Sequence, residues 1–294
     1  MTSNSVAAAV HDHGGDGPPL LLLHGAGRSL ADWAAVAPML VTRHRVLAVD
    51  LRGHGRTPSG PWNLPAVLGD LEAVLDTYGA PDALPVGHSL GGLLAVQYAL
   101  EHPGTPGAVN LDGFGRGSPD QYPGLEPSYV EERLAQVRRT AADAAGAPFT
   151  ADGMRELLAR QRAMSDALGI PYELLEAGVM RSVRELPDGR LVSLPEREHA
   201  LGMLAVLDAL DPFASFRRMD RPLLLGRATR PVPPVPGTEW SDALTAAYAE
   251  GLARDLDALA DTHPRVTVAR IDATHAMPLE NPRAVADAIL EFTS

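Results

Sequence analysis

ALPVGHSLGGLLAVQYAL, residues 83–100, sets Ser89 between two glycines, with an apolar run before it and a helix-length apolar run after it. A Gly-x-Ser-x-Gly pattern alone is a weak signal, because ordinary glycine and serine usage produces one in about a tenth of chains this long. Its placement strengthens it: Gly87-His88-Ser89-Leu90-Gly91 closes a candidate strand and opens a candidate helix. A sharp strand-to-helix turn strains the serine backbone and presents the hydroxyl at the carboxyl edge of a sheet, beside the positive end of the helix. Small flanking residues let neighbouring segments close on such a turn.

Outward from this stretch, short apolar runs ending in glycine-rich or polar turns recur: PLLLLHGAG (19–27), RVLAVDLRGHG (45–55), AVNLDGFG (108–115), RPLLLGRA (221–228) and VTVARIDATH (266–275). Continuous apolarity over four or five residues predicts strands buried on both faces, as in a parallel sheet. Helical patterns lie between them at Leu30 to Val41, Pro65 to Tyr78, Leu90 to Leu100 and Asn281 to Phe292. The alternation predicts a doubly wound, mostly parallel α/β sheet. SVAAAVH (5–11) is expected to add one edge strand, leaving little room for an N-terminal hairpin. Residues 116–211 break the alternation and read as helices over Glu131 to Ala145, Ala151 to Leu168, Pro171 to Arg184 and Pro195 to Leu210, with no buried strand. The expected organisation is a core of residues 1–115 and 212–294 with an inserted helical cap, 116–211. PVPPVPG (231–237) is expected to be extended and stiff.

The 294 residues, 45% of them hydrophobic, suffice for one large core with an insertion. Lysine is absent, so 25 arginines face 37 acids, for a net charge of -12. That balance disfavours nucleic acid or an anionic membrane as partner and keeps the chain in solution; a small-molecule substrate is the expected partner on the grounds given below, and the oligomeric state is left open. Without cysteine there is neither a disulfide framework nor a thiolate nucleophile. The N-terminal MTSNSVAAAVHDHGG lacks a basic start and a long apolar segment, so a cytoplasmic protein is expected.

Four segments resemble the α/β-hydrolase family, and their order and spacing together are far more specific than any one alone: His24-Gly25-Ala26-Gly27, Asp50-Leu51-Arg52-Gly53-His54-Gly55, Gly87-His88-Ser89-Leu90-Gly91-Gly92, and Thr274-His275-Ala276-Met277-Pro278-Leu279-Glu280-Asn281-Pro282. The resemblance extends over nearly the whole chain outside the cap and implies an α/β-hydrolase fold. It makes Ser89 the nucleophile and His275 the base, since a serine hydroxyl attacks only when a neighbouring group takes its proton. It also makes the backbone N–H groups of Ala26 and Leu90 the oxyanion hole, two fixed donors for the negative oxygen of a tetrahedral intermediate. His24, His54 and His88 are expected to hold loops through hydrogen bonds, and Asp50, Arg52 and Gly53 to fix the turn beneath the site. No metal or organic cofactor is called for. His11, Asp12 and His13 read as part of a mobile terminus in preference to a metal site.

The third group, which orients the base, departs from the family's usual pattern. Most members carry an Asp after the penultimate strand, where this chain has Gly226-Arg227-Ala228-Thr229, and threonine cannot supply the charge. Some relatives place the acid at the end of the strand that follows the nucleophile helix, here Asp112 in Ala108-Val109-Asn110-Leu111-Asp112. Asp112 is therefore the expected acid, with Glu239 or Asp242 as alternatives; Asp272 stands too close along the chain to face the same ring nitrogen of His275.

The expected activity is hydrolysis of a carboxylic ester, lactone or thioester of a medium-sized, partly apolar molecule through an acyl-enzyme on Ser89. Two alternatives keep the fold: cleavage of a carbon–carbon bond next to a ketone by the same Ser and His, or ligand binding with little turnover. A serine at position 89 excludes the Asp nucleophile of epoxide hydrolases and haloalkane dehalogenases. Expected pocket residues are Gly25, Arg28, Trp33, Tyr122 and Met154, and the further cap methionines Met164, Met180 and Met203 are candidates because a thioether adapts to irregular shapes. Tyr129 and Phe213 add aromatic surface near the cap.

Overall fold

The computed structural model describes residues 5–231 and 239–294. Its strands are β1 (Val10–Asp12), β2 (Pro19–Leu23), β3 (Arg45–Val49), β4 (Leu84–His88), β5 (Ala108–Leu111), β6 (Pro148–Phe149), β7 (Val183–Glu185), β8 (Leu191–Ser193), β9 (Leu223–Ala228) and β10 (Val266–Ile271). Seven of them form one sheet in the order β1-β3-β2-β4-β5-β9-β10. All neighbours in it run parallel except β1, which lies antiparallel to β3 at the edge. The edge strand thus begins at Val10, later than the expected 5–11, because its pairing partners are Leu47 to Val49.

The apolar runs are continuous because both faces of the sheet are covered. Leu20, Leu22, Val46, Ala48, Val86 and Val109 pack on one face with Val285, Ala286 and Ile289 of the helix Pro282–Phe292. Leu21, Leu23, Leu47 and Val49 pack on the other with Val67, Leu71 and Val74 of the helix Leu64–Thr77 and with Leu94 and Tyr98 of the helix Leu90–Glu101. Side chains alternate faces along a strand, so an unbroken leucine run feeds two cores at once. Beside the sheet's far edge, Leu223, Leu225 and Val266 meet Phe213, Phe216 and Leu256, the last on the helix Glu239–Thr262. Local chemistry starts the helices where expected: Asn63 accepts from Ala66 N at 3.0 Å and Asn281 from Ala284 N at 3.2 Å. The pattern read as one helix over 30–41 is two short pieces, a 3-10 turn Leu30–Trp33 and a helix Ala37–Leu40. Trp33, Val36, Ala37 and Leu40 are all fully buried, so packing overrides the longer helical period.

Residues 116–211 hold the helices Pro127–Ala144, Ala151–Leu168, Tyr172–Arg181 and Arg197–Ala209. They also hold a three-stranded antiparallel sheet, order β6-β8-β7, which corrects the expectation of helices alone. The helix read as ending at Arg184 stops at Arg181, and Val183 and Arg184 pair with Ser193 and Val192. These strands leave no apolar run in the sequence because β7 and β8 are short and buried only at Val192. A turn at Asp188-Gly189, closed by Leu186 N to Arg190 O at 2.7 Å, joins them. PVPPVPG, apart from Pro231, lies outside the described residues. Among the described residues no helix is long and apolar enough to cross a membrane.

Candidate active site

The turn after β4 takes the strained form its sequence implies. Ser89 has φ 54° and ψ -118°, a backbone conformation that non-glycine residues rarely adopt. The flanking glycines are required by close approach: a Cβ on Gly87 would stand 1.9 Å from Gly91 O, and one on Gly91 would stand 2.2 Å from Leu23 O. Ser89 N donates to Leu111 O at 2.8 Å, which ties the turn to the end of β5.

One residue beyond that carbonyl, Asp112 is the only other non-glycine residue with positive φ among those described, at 55°. Its turn is closed by the buried side chain of Asn110, whose Nδ2 donates to Gly113 O at 2.7 Å and whose Oδ1 accepts from Gly113 N at 2.8 Å. Asp112 N donates to Gly226 O at 2.7 Å and Asp112 Oδ1 accepts from Ala228 N at 3.0 Å, both on β9. The remaining oxygen, Oδ2, lies 2.7 Å from His275 Nδ1, and His275 Nε2 lies 3.1 Å from Ser89 Oγ. Burial pushes the Asp112 carboxyl upward, but the hydrogen bond and charge of His275, with the Ala228 N–H, hold it below the usual carboxylate value.

His275 stands on the loop after β10, held from several sides. Thr274 donates through N and Oγ1 to Glu280 Oε2 at 2.7 and 2.6 Å, and Arg230 ion-pairs with Glu280 Oε1. His88 Nε2 donates to the carbonyl of His275 at 2.7 Å, and burial, with the neighbouring His275, lowers His88 to about 4. In the sequence Glu280 stands only as one letter of the Thr274–Pro282 segment. Its signal was there, an acid six residues after a threonine on the same loop, but no local rule points the two at each other.

The other histidines serve the loop that carries Ala26. His24 Nε2 accepts from Leu51 N at 3.0 Å, so its Nδ1 carries the proton and donates to Gly25 O at 2.7 Å. His54 Nε2 accepts from Gly27 N at 3.1 Å while its Nδ1 donates to Arg52 O at 3.1 Å, and burial lowers it to about 3, so it stays neutral. Asp50 accepts from Leu30 N at 2.8 Å and Arg56 N at 2.9 Å and pairs with Arg181 at 2.7 Å. Arg52 pairs with Asp70 at 2.7 Å in full burial. The N–H groups of Ala26 and Leu90 have no acceptor among the described residues.

A cavity of about 300 Å³ opens over Ser89 and His275, lined by Gly25, Ala26, Arg28, Asp32, His88, Met164, Leu168, Thr274, Ala276, Pro278 and Leu279. Gly25 and Arg28 thus fall in the cavity, while three expected pocket residues fall elsewhere. Trp33 is fully buried in the core beneath the sheet. Tyr122 stacks on Tyr248 with ring centroids 5.2 Å apart, and its hydroxyl donates to Arg116 O. Met154 stands near the opposite end of its helix from Met164 and Leu168, the two residues of that helix in the lining. Met203 packs with the helix Leu64–Thr77 and Met180 is 60% exposed. The Nδ1 of His275 meets Asp112, while Asp242 is exposed; the side chain of the other alternative, Glu239, lies outside the described residues. Asp272 pairs with Arg230 at 3.4 Å, away from the imidazole. A larger cavity of about 380 Å³, lined by Arg116, Arg138 and Asp208 among others, contains neither Ser89 nor His275.

Residues 20–288 match the model of the family described as "Alpha/beta hydrolase family". The chain belongs to the alpha/beta hydrolase family. Among curated relatives of this hydrolase, the pimeloyl-[acyl-carrier protein] methyl ester esterase of Methylococcus capsulatus is 34% identical over 233 residues, 78% of this chain and 82% of that one. Among solved structures, E-2-(acetamidomethylene)succinate hydrolase superposes with a TM-score of 0.69 at 21% identity, covering 98% of this chain and 95% of that one. The thioesterase domain from the curacin biosynthetic pathway superposes with a TM-score of 0.62 at 19% identity, covering 98% and 100%. These two likenesses extend to the fold, and the mostly parallel sheet described above is that of an alpha/beta hydrolase enzyme.

Proposed function

We propose that this alpha/beta hydrolase cleaves a carboxylic ester, with thioesters and lactones open to the same chemistry, through an acyl-enzyme on Ser89. The observation that carries the reading is the unbroken line from Asp112 Oδ2 to His275 Nδ1 at 2.7 Å and from His275 Nε2 to Ser89 Oγ at 3.1 Å. In this reading His275 Nε2 takes the proton as Ser89 Oγ attacks the carbonyl carbon, and Asp112 stabilises the imidazolium that forms. The negative oxygen falls to the free N–H groups of Ala26 and Leu90. As the intermediate collapses, His275 returns the proton to the departing alcohol. Water, deprotonated by His275, then attacks the acyl-enzyme and releases the acid and the serine. The methyl ester esterase named above, at 34% identity, supports an ester among the possible acyl substrates. We read residues 116–211 as a cap over the site, since Met164 and Leu168 supply an apolar wall of the cavity. At about 300 Å³ the cavity favours a small acyl group.

A fluorophosphonate probe tests the nucleophile, because it reacts only with an activated serine. The wild-type protein is expected to label once, at Ser89, and Ser89→Ala not at all. A folded wild-type protein that stays unlabelled would sink the reading in favour of ligand binding without turnover.

A further inference from the structure

We propose that Arg28 receives a carboxylate of the substrate, so that the hydrolase selects acyl compounds bearing a second, anionic group a few bonds from the scissile carbonyl. The inference rests on the reading of Ser89 as nucleophile and adds the substrate's chemical class.

Arg28 lies two residues past Ala26 in the loop that faces Ser89. A Cβ built on Gly25 would stand 3.3 Å from Ser89 Cβ and 3.7 Å from Arg28 Cγ, so the two side chains rise on either side of one point. Among the described residues Arg28 is the only arginine lining the cavity, in a chain that has no lysine. Its guanidinium is held in one orientation. Nε donates to Asp32 Oδ2 at 2.9 Å and Nη2 to Asp32 Oδ1 at 2.6 Å. Gly178, on the helix Tyr172–Arg181, closes over the same group, a Cβ there standing 3.3 Å from Nη2.

The fork has donors to spare. A guanidinium carries five N–H groups, and the pair with Asp32 uses two. Nη1 donates to nothing among the described residues, although 27% of the Arg28 side chain is exposed, against 5% for Asp32. Burial opposes the charge on Arg28, and Asp32 more than restores it, so the cation persists. Besides Ser89, His275, His88, Thr274 and the Arg28–Asp32 pair, the cavity offers Met164, Leu168, Ala276, Pro278 and Leu279, surface with which an apolar substrate would be satisfied. Sequestering an ion pair beside such a wall costs desolvation and gains an apolar substrate nothing. A carboxylate that meets Nη1–H and the remaining Nη2–H recovers that cost, and a fork already locked by Asp32 loses little entropy in binding it. The overall charge of -12 repels anions, so recognition of this class requires a local cation of this kind.

Protection of Ser89 against the fluorophosphonate probe tests the inference without requiring turnover. The competitors are keto acids with two to four methylenes between ketone and carboxylate, such as 5-oxohexanoate, each beside the alkyl ketone in which methyl replaces the carboxylate, such as 2-hexanone. At least one keto acid is expected to halve the labelling rate at a tenfold lower concentration than its neutral counterpart. Arg28→Met is expected to erase that ratio and Arg28→Lys, which keeps the charge without the fork, to keep part of it. If every keto acid protects no better than its ketone, or if Arg28→Met leaves the ratio intact, the inference is overturned while Ser89 keeps its role. If Ser89 does not label even without competitor, the nucleophile reading fails and takes this inference with it.

Discussion

The tips of β5 and β9 lie side by side at the carboxyl edge of the sheet, and each is followed by a turn within reach of the loop that carries His275. They carry different chemistry. After β5, Asp112 is forced to φ 55°, its turn is closed by Asn110, and its carboxylate spans from Ala228 N to His275 Nδ1. After β9, Thr229 turns both N and Oγ1 toward the carbonyl of Ile271, at 3.0 and 3.1 Å, and is exposed. One tip stores backbone strain and aims a charge; the other finishes a pair of strands. Strain of this kind persists only where surrounding contacts over-determine it, and the contacts around Asp112 come from two strands, β5 and β9, and the loop that carries His275.

The comparison can be broken most directly at Asp112. Asp112→Asn keeps the shape but removes the charge that, in the proposed mechanism, stabilises the imidazolium, and kcat/KM on a methyl ester is expected to fall by about 10²–10⁴-fold. Equal activity of that variant and wild type would overturn the assignment of the acid. A middle-sized effect should come from the device that holds the turn. Asn110→Ala removes both bonds to Gly113, so kcat should drop roughly tenfold with KM little moved, and unfolding in urea should show a loss of about 1–3 kcal/mol. A stability loss with kcat untouched would make Asn110 purely structural. The smallest change is expected at the other tip: Thr229→Ala forfeits one hydrogen bond, leaving kcat/KM within about twofold and stability within about 1 kcal/mol. A hundredfold loss there would return the acid's support to β9.

Much of the fold was legible because it is written in local patterns. PLLLL, RVLAV and LLLGRA read as buried strands, and they pack on both faces as double burial requires. The turn at Ser89 was legible for the same reason: strand, glycine, serine, glycine and helix are consecutive. Less was legible between residues 116 and 211, where β7 and β8 are short, mostly exposed and held by pairing instead of burial. The pocket was the least legible part. Composition nominated Trp33, Tyr122 and Met154 for their size and apolarity, yet large apolar side chains are what any core collects. Arg28 and Met164 reach the cavity because of where their segments cross the sheet's edge.

By itself the sequence determined the alternation of strands and helices and the two residues, Ser89 and His275, whose motifs are continuous along the chain. Which carboxylate stands behind His275 is a different kind of fact, since Asp112 and His275 are 163 residues apart. Their meeting follows from strand order: β5 is inserted between β4 and β9, which brings its tip to both the serine turn and the histidine loop. The lock on Arg28 has the same origin, half of it local, in Asp32 one helical turn along, and half from Gly178 on a helix 150 residues further on. Periodicity and motif spacing act over a few residues, whereas the aim of a charged side chain is set by whatever the folded chain brings against it.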